Sequence, residues 1–427
     1  MLPATTSNTR KEESDASGKQ EQPTNTNNQL IKKSIFIILI LFSIHFWDLE
    51  GIPLLSYKME DFVTWAISIF CMVLVFNEKN IRFKYPIVLL LFGLVANSLA
   101  AFINFRQNPY QTLMSFNYFY AILLYFAFHY LKPGIRFVEN TIIVFGILYS
   151  IIFTWQYKVY PEEIFNNSAK TAINALQFEI LGHGFLMLAY LLLLNRFLTK
   201  HNILNILLAL GLFYVQLKSD FRTLIGGAVV VTCFMVIRHF RLNVFYFVVV
   251  FLLFVLFIGL SQYQGTSNIL NKMVSKTQSE MEEGDQYVRN VQLEFYYKVY
   301  PQNASYYLIG GGKPAGSNLF YMRDETWKMN YNIVWVDIGL LGFFIVVGAI
   351  ATAGLLWYTL KAIFARVPRE MYYVCFYFLY LLLVSFTNEE IYDNGIFTVQ
   401  AVGLYLIDVA LDQKTDRTGP NLLNESA

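Results

Sequence analysis

Residues 203–237 read ILNILLALGLFYVQLKSDFRTLIGGAVVVTCFMVI, two apolar runs of 15 residues on either side of the charged turn Lys218-Ser219-Asp220-Phe221-Arg222. As helices, runs of that length reach about 22 Å at ~1.5 Å per residue, while the hydrocarbon core of a bilayer is about 30 Å thick. With the inner ends at the headgroups, the turn lies below the outer surface. Charge at that depth faces protein or a wet cavity, unless the bilayer thins locally and Lys218 and Arg222 snorkel outward. Either way the segment is a membrane hairpin, and it sets the reading of the rest of the chain.

The composition agrees. Of 427 residues, 56% are hydrophobic and only 15% charged, where soluble domains carry about 25%. Net charge is +2, so bulk charge gives no pointer to nucleic acid, and none is expected as a partner; the lipid bilayer is. Apolar runs near 34–55, 62–76, 85–105, 113–131, 137–155, 173–194, 203–217, 223–237, 242–260, 333–358, 370–386 and 395–411 predict twelve spans. The expected fold is an all-α polytopic membrane protein with about twelve transmembrane helices and one large external loop containing short helices. It divides into a disordered cytoplasmic tail (1–33), spans one to nine (34–260), the external loop (261–332), spans ten to twelve (333–411) and a second cytoplasmic tail (412–427). The first tail is polar and has no apolar core, so it is not a signal peptide. With both termini inside, the cytoplasmic segments hold 19 Lys or Arg and the short external ones 6, as the positive-inside rule requires. An odd number of spans would put Arg238, Arg241, Lys361, Arg366 and Arg369 outside.

The loop 261–332 is the longest polar stretch between apolar runs. From Lys272 to Lys328 it carries seven basic and seven acidic residues, a mixed surface rather than a cationic patch. A helix is expected over 285–300, between Gly284 and Pro301. Arg289, Leu293, Tyr296 and Tyr300 share one side of it; Asp285 and Arg289 are spaced for an ordinary surface ion pair. The run Gly310-Gly311-Gly312 follows. Glycines permit close backbone approach and can present N–H groups to an oxyanion, although most glycine turns are only turns and the spacing is not that of a P-loop.

A few polar residues fall within spans. Glu179 and His183, four apart, share a helix face if 173–194 is helical, which suits either function or an interhelical hydrogen bond. Asn97 and Asn117 read as interhelical hydrogen bonds. Asp337 opens the tenth span, where capping or pairing with a loop lysine is as natural as catalysis. Cys71, Cys233 and Cys375 lie far apart in apolar runs, as buried small hydrophobes do.

The ordered set of features from about Leu210 to Phe344 resembles the conserved half of the O-antigen polymerase and O-antigen ligase family, the Wzy-type polymerases of bacterial surface polysaccharides. The set comprises a charged turn ending in Arg222 that opens a short span, a large external loop with an Arg-bearing helix and a glycine turn, Asn330-Tyr331, and then Asp337-Ile338-Gly339-Leu340-Leu341-Gly342-Phe343. The amino-terminal spans resemble the family only in hydropathy. The resemblance implies a GT-C-like glycosyltransferase of the bacterial cytoplasmic (inner) membrane. It would act on the periplasmic face without metal or cofactor, on oligosaccharides carried by undecaprenyl diphosphate. A chain-length regulator and a flippase of the same pathway are the partners it implies, and lipopolysaccharide, capsule or exopolysaccharide the product. By position, Arg222 matches the arginine of the family's turn and Arg289 that of the loop helix. The family's ligases carry a histidine just before the asparagine matched to Asn330; here that residue is Met329, and the long loop has no histidine. This departure favours a polymerase over a ligase.

The implied chemistry assigns roles. Arg222 and Arg289 would stabilise the departing diphosphate by charge-assisted bonds, with Lys218 and the amides of Gly310, Gly311 and Gly312 in support. Asn330 and Tyr296 would touch substrate, the latter by stacking on sugar. Asp337, Glu389, Glu390 and Asp393 are open alternatives for the base that takes the acceptor hydroxyl's proton. A flippase or transporter of the lipid-linked unit is the competing class; the long loop and the lack of inverted repeats stand against it.

Overall fold

The computed structural model describes residues 26–48, 57–160, 162, 164, 170–172, 175–177, 180–219, 221–240, 288–301, 303–315, 319–331 and 333–417. The tail 1–25, the span expected at 242–260 and the first part of the long loop lie outside the described residues. Among the described residues the secondary structure is helical, apart from a two-stranded ribbon pairing Lys170–Ala172 with Ala175–Gln177.

The amino-terminal half contributes α1 (Thr26–Ser43), α2 (Tyr57–Val75), α3 (Lys84–Phe105), α4 (Pro109–Ser115), α5 (Leu124–Leu131) and α6 (Ile135–Val159). After the ribbon come α7 (Gly184–Lys200), α8 (Ile203–Lys218) and α9 (Arg222–Phe240). The described part of the loop holds α10 (Val288–Glu294), a π-turn over Phe295–Val299, α11 (Ser305–Ile309) and α12 (Leu319–Tyr331). The last elements are α13 (Gly339–Val347), α14 (Ala349–Ile363), α15 (Tyr372–Val384) and α16 (Ile396–Arg417). Four described helices are long and apolar enough to cross a membrane: α3, α6, α9 and α16; a bent pair over 320–347 makes a fifth if it is one span.

Helix α7 is the axis of the bundle. Residues 184–195 are buried on every face, the pattern of a helix surrounded by others. The tightest contact joins α3 to α14. A Cβ at Gly93 would stand 2.4 Å from the Ala351 nitrogen, and one at Gly354 would stand 2.4 Å from the Leu90 nitrogen. Small residues let the two backbones touch, the usual device where lipid removes the hydrophobic drive between helices.

Three expected spans are corrected. Residues 113–131 are not one helix: α4 stops at Ser115, and a 3₁₀ turn over Asn117–Leu123 precedes α5. The bend lets Asn117 donate to Asp61 at 3.0 Å. Residues 173–194 do not form one helix either. The ribbon occupies the first part, Gly182 turns the chain at φ +85°, and α7 starts at Gly184. Glu179 lies outside the described residues, and residues 180–183 are not helical. Residues 333–358 break at Gly348, where φ is +99°. The carboxy-terminal helix, by contrast, runs past the expected end of its span to Arg417. Of the cysteines, Cys71 is buried, Cys375 half-buried and Cys233 exposed.

One end of the bundle is locked by a network absent from the sequence reading. Asp408 is fully buried and accepts from the Arg82 N–H at 3.1 Å and from the Tyr125 hydroxyl. His129 Nε2 stands 3.2 Å away. Arg82 also reaches Asp412 at 2.8 Å, and Lys361 donates to the Arg82 carbonyl at 2.6 Å. Four elements are thereby tied at that end, and the opposite end is where the long loop returns.

The close approach of α3 and α14 generates a pair of opposite expectations. Gly93→Ala should lower stability by about 1–3 kcal/mol, as overpacking does. Gly211→Ala on α8, where a Cβ meets nothing within 4 Å, should be neutral or gain up to ~1 kcal/mol from the lower chain entropy of alanine. Thermal unfolding of the detergent-purified protein compares the two directly.

Candidate functional site

The loop comes back onto the bundle through residues 309–315, and every step of that return is hydrogen-bonded. Gly311 N–H donates to the Ile345 carbonyl at 3.2 Å and Gly312 N–H to Val346 at 3.0 Å. Asn97 of α3 donates to Ile309 and Val346 carbonyls, both at 2.8 Å. A Cβ on Gly310 would stand 2.4 Å from the Asn97 amide nitrogen, and one on Gly311 2.4 Å from the Tyr300 ring. Gln107, between α3 and α4, then clamps the chain: it donates to the Lys313 carbonyl at 2.7 Å and accepts from Ala315 N–H at 2.9 Å. The Tyr300 hydroxyl donates to Gly312 at 3.1 Å.

This seating delivers Lys313 to a defined place. Its ammonium donates to the Ser115 carbonyl at 2.7 Å and approaches the Tyr118 hydroxyl at 3.2 Å, over the Tyr118 ring at 4.7 Å. Burial pushes the Lys313 ammonium down to about 8, with Lys328 adding to the fall and the Glu389 and Asp393 carboxylates opposing it. Lys328 is itself held up by Asp324 at 2.9 Å and Glu325 at 3.1 Å, against its own desolvation.

The facing wall is the connection between α15 and α16. A 3₁₀ turn, Glu390–Tyr392, is fixed by the Ser385 hydroxyl oxygen accepting from Ile391 N–H at 2.8 Å and by the Tyr392 hydroxyl donating to Gly339 at 2.9 Å. It presents three carboxylates in five residues: Glu389, Glu390 and Asp393. His183, at the start of α7, stands 3.1 Å from both oxygens of Glu390 and 3.9 Å from Asp393. A second His–carboxylate group adjoins the Tyr118 side. His45 lies 2.9 Å from Glu60 and 3.5 Å from Asp61, and Asp61 accepts from Asn117. His45, Phe46 and Trp47 are all held at positive φ (46°, 51° and 61°), a conformation that costs non-glycine residues energy and clusters at functional sites. Among the described residues no group of His, Cys, Asp and Glu is arranged to hold a metal ion.

The residues singled out from the sequence do not all fall together. Arg222, Arg289 and Asp337 belong to the loop end of the bundle. Gly227, near the start of α9, packs on Val384; the adjacent Ser385 accepts from Leu340 N–H at 2.8 Å; and Asp337 accepts from Gln292, on the same short helix as Arg289, at 3.2 Å. Arg222 and Arg289 are both half-buried. Lys218 is the last residue of α8, whose cap is Ser219, and it lies over the Tyr214 ring at 5.5 Å. Asn330 is exposed, as is Met329. Asp220 lies outside the described residues, as does Asp285.

Two expectations are corrected. The amides of Gly310, Gly311 and Gly312 do not cradle an anion: Gly310 donates to Tyr306 at 2.9 Å, and the other two are spent on Ile345 and Val346. All three glycines are buried, and the run exists for close approach. Tyr296 is 1% exposed, packed on Phe295 and Tyr300; it cannot present a face to a sugar. The sequence reading also passed over Lys313, although it directly follows the glycine run. Glu389, Glu390 and Asp393 were named from the sequence as alternatives for the base, without the turn that groups them.

No protein-family model, curated protein or solved structure matches this chain.

The electrostatics of Lys313 can be read by competitive amine labelling across pH. Lys313 should lose its proton with a midpoint near pH 8, well below the ordinary lysine value of about 10.4. Because Glu389 supports the charged form, Glu389→Gln should move the Lys313 midpoint lower still. A midpoint near 10, or an upward move in that variant, would show an ammonium still bathed in water.

Proposed function

We propose that this protein is a polysaccharide repeat-unit polymerase: a glycosyltransferase that joins lipid-diphosphate-linked oligosaccharides on the external face of a bacterial cytoplasmic membrane. In this reading the chain crosses the bilayer twelve times, both termini are cytoplasmic and the long loop is periplasmic. The observation that supports it is at the loop end, where the loop delivers Lys313 beside the Glu389 and Asp393 carboxylates of the turn between α15 and α16. The ordered sequence features shared with O-antigen polymerases support the same conclusion.

The reaction needs positive charge for a leaving diphosphate and a base for an incoming sugar hydroxyl. Arg222 and Arg289 hold the diphosphate oxygens, where negative charge grows as the anomeric C–O bond breaks. Glu389 or Asp393 takes the proton as the acceptor oxygen bonds to the anomeric carbon. The electron pair of the broken bond departs with the lipid diphosphate. Lys313 lies beside the two carboxylates, which favour its charged form. His183 engages Glu390 and aligns the turn. Met329, where the ligases carry histidine, favours polymerase over ligase.

Arg222→Ala and Arg289→Ala should each abolish long-chain polymer while the single lipid-linked unit accumulates outside the cell membrane. Arg366→Ala, at the other end of the bundle, should leave polymer length unchanged. Polymer of normal length in either of the first two variants removes the diphosphate assignment; loss of outward transfer of the unit points to a flippase. Asp393→Asn and Glu389→Gln separate the base from its neighbour. The variant lacking the base should lose at least ~100-fold in rate, the usual contribution of such a group, and the other should lose less.

A further inference from the structure

At the end of the bundle away from the loop, a cavity of about 830 Å³ opens between α1, the α5–α6 connection and the start of α6. Four cations line it: Lys32, Lys33, Lys132 and Arg136; among the described residues no carboxylate does. Lys33 rests over the Phe137 ring at 5.4 Å, and Lys132 meets Glu78 at 3.6 Å. That pair is exposed on both sides (66% and 41%), so water screens it heavily. The cavity also faces the amino-terminal end of a 25-residue helix whose cap is Gly134, with no side-chain cap bond. A Cβ there would meet nothing within 4 Å, so the approach to the helix end is open. The partial positive charge of a helix terminus adds to that of the four side chains.

We infer that this cavity binds the phosphate headgroup of an anionic phospholipid. The inference rests on the chain being embedded in a membrane and not on the polymerase reading. The ligand class follows from the walls. The polar half offers four cations to a phosphodiester, which is how basic pockets between membrane helices take anionic headgroups. The other half is apolar, and the helices that rise from it keep exposed apolar side chains along their length: Ile38 on α1, and Val144, Leu148 and Ile151 on α6. A soluble phosphate uses only the first half, whereas a lipid uses both. Ordinary positive-inside charge would need no cavity, and it would be spread over the flat ends of the helices.

The test is native mass spectrometry of the full-length protein in detergent, titrated with dioleoyl phosphatidylglycerol or dioleoyl phosphatidylcholine. One phosphatidylglycerol per chain should bind saturably, about tenfold tighter than phosphatidylcholine, and weaken as salt is raised. Lys132→Gln/Arg136→Gln should reduce it to the phosphatidylcholine level. Lys79→Gln/Lys200→Gln, with the same loss of charge on exposed residues outside the cavity, should stay within about twofold; the milder Lys33→Gln alone should give an intermediate loss and guards against misfolding of the double variant. Equal losses in the two double variants, or no preference between lipids, overturns the site. Displacement of bound phosphatidylglycerol by inorganic phosphate at similar concentration would assign the cavity to a soluble phosphate and overturn the lipid as ligand.

Discussion

The side-chain amide of Asn97 holds the structure at its weakest point. A chain in lipid has no water to satisfy a broken helix, and the helix that follows the long loop breaks at Gly348. The carboxy-terminal carbonyls of α13 would be left bare there, at about 1–3 kcal/mol for each buried group without a partner. They are not bare. Phe344 accepts from Gly348, Ile345 from Gly311, and Val346 from both Gly312 and Asn97. The second hydrogen of the same amide closes the Ile309 carbonyl at the end of α11. One amide on α3 thus ties the break to the loop.

That arrangement explains why three glycines stand together. Gly310 and Gly312 adopt φ of +79° and +99°, open to glycine without strain. Gly311 lies so close to the Tyr300 ring that a methyl group would collide with it. The glycines therefore supply helix caps. The loop is pinned within one residue of Lys313, and Gln107 pins it again immediately afterwards. A side chain between two such fixed points has little freedom to choose its surroundings, which is what preorganisation requires.

Hydropathy showed the helical class, the membrane setting and the hairpin around Arg222, because runs of apolar residues are a local signal. It did not show the breaks. Residues 113–131 and 333–358 are apolar enough to be single helices, but Asn117 turns toward Asp61 and Gly348 meets the backbone of Ile309; both partners are remote in sequence. The same limit applied to the site. Asn97 was legible as an interhelical hydrogen bond because a lone amide in an apolar run must find a partner. The glycine run was legible as a close approach, but the thing approached was a helix end and not an anion. Lys313 gave no signal at all, since its environment is made by Ser115, Tyr118, Glu389 and Asp393, none of them near it in the chain. Tyr296 misled because an aromatic in a polar loop looks exposed; here the loop folds into a core of its own around Tyr296, Tyr300 and Tyr306.

The two polar ends of the bundle differ in how their charge is settled, and the difference separates architecture from chemistry. At the end away from the loop, buried Asp408 faces a backbone N–H, a tyrosine hydroxyl and a histidine, with Arg82 bridging to Asp412. A carboxylate so supplied is stable as it stands, and it fastens four elements. At the loop end, Lys313 has one carbonyl and one tyrosine hydroxyl for its ammonium, and its carboxylate neighbours only partly offset the desolvation. A buried charge is weak evidence of stability, since an apolar side chain of similar volume often packs as well or better. The glycine caps and the Gln107 clamp fix the backbone on either side without the ammonium. A buried cation held at a reduced proton affinity beside Glu389 and Asp393 is the kind of perturbed group that marks a candidate functional site.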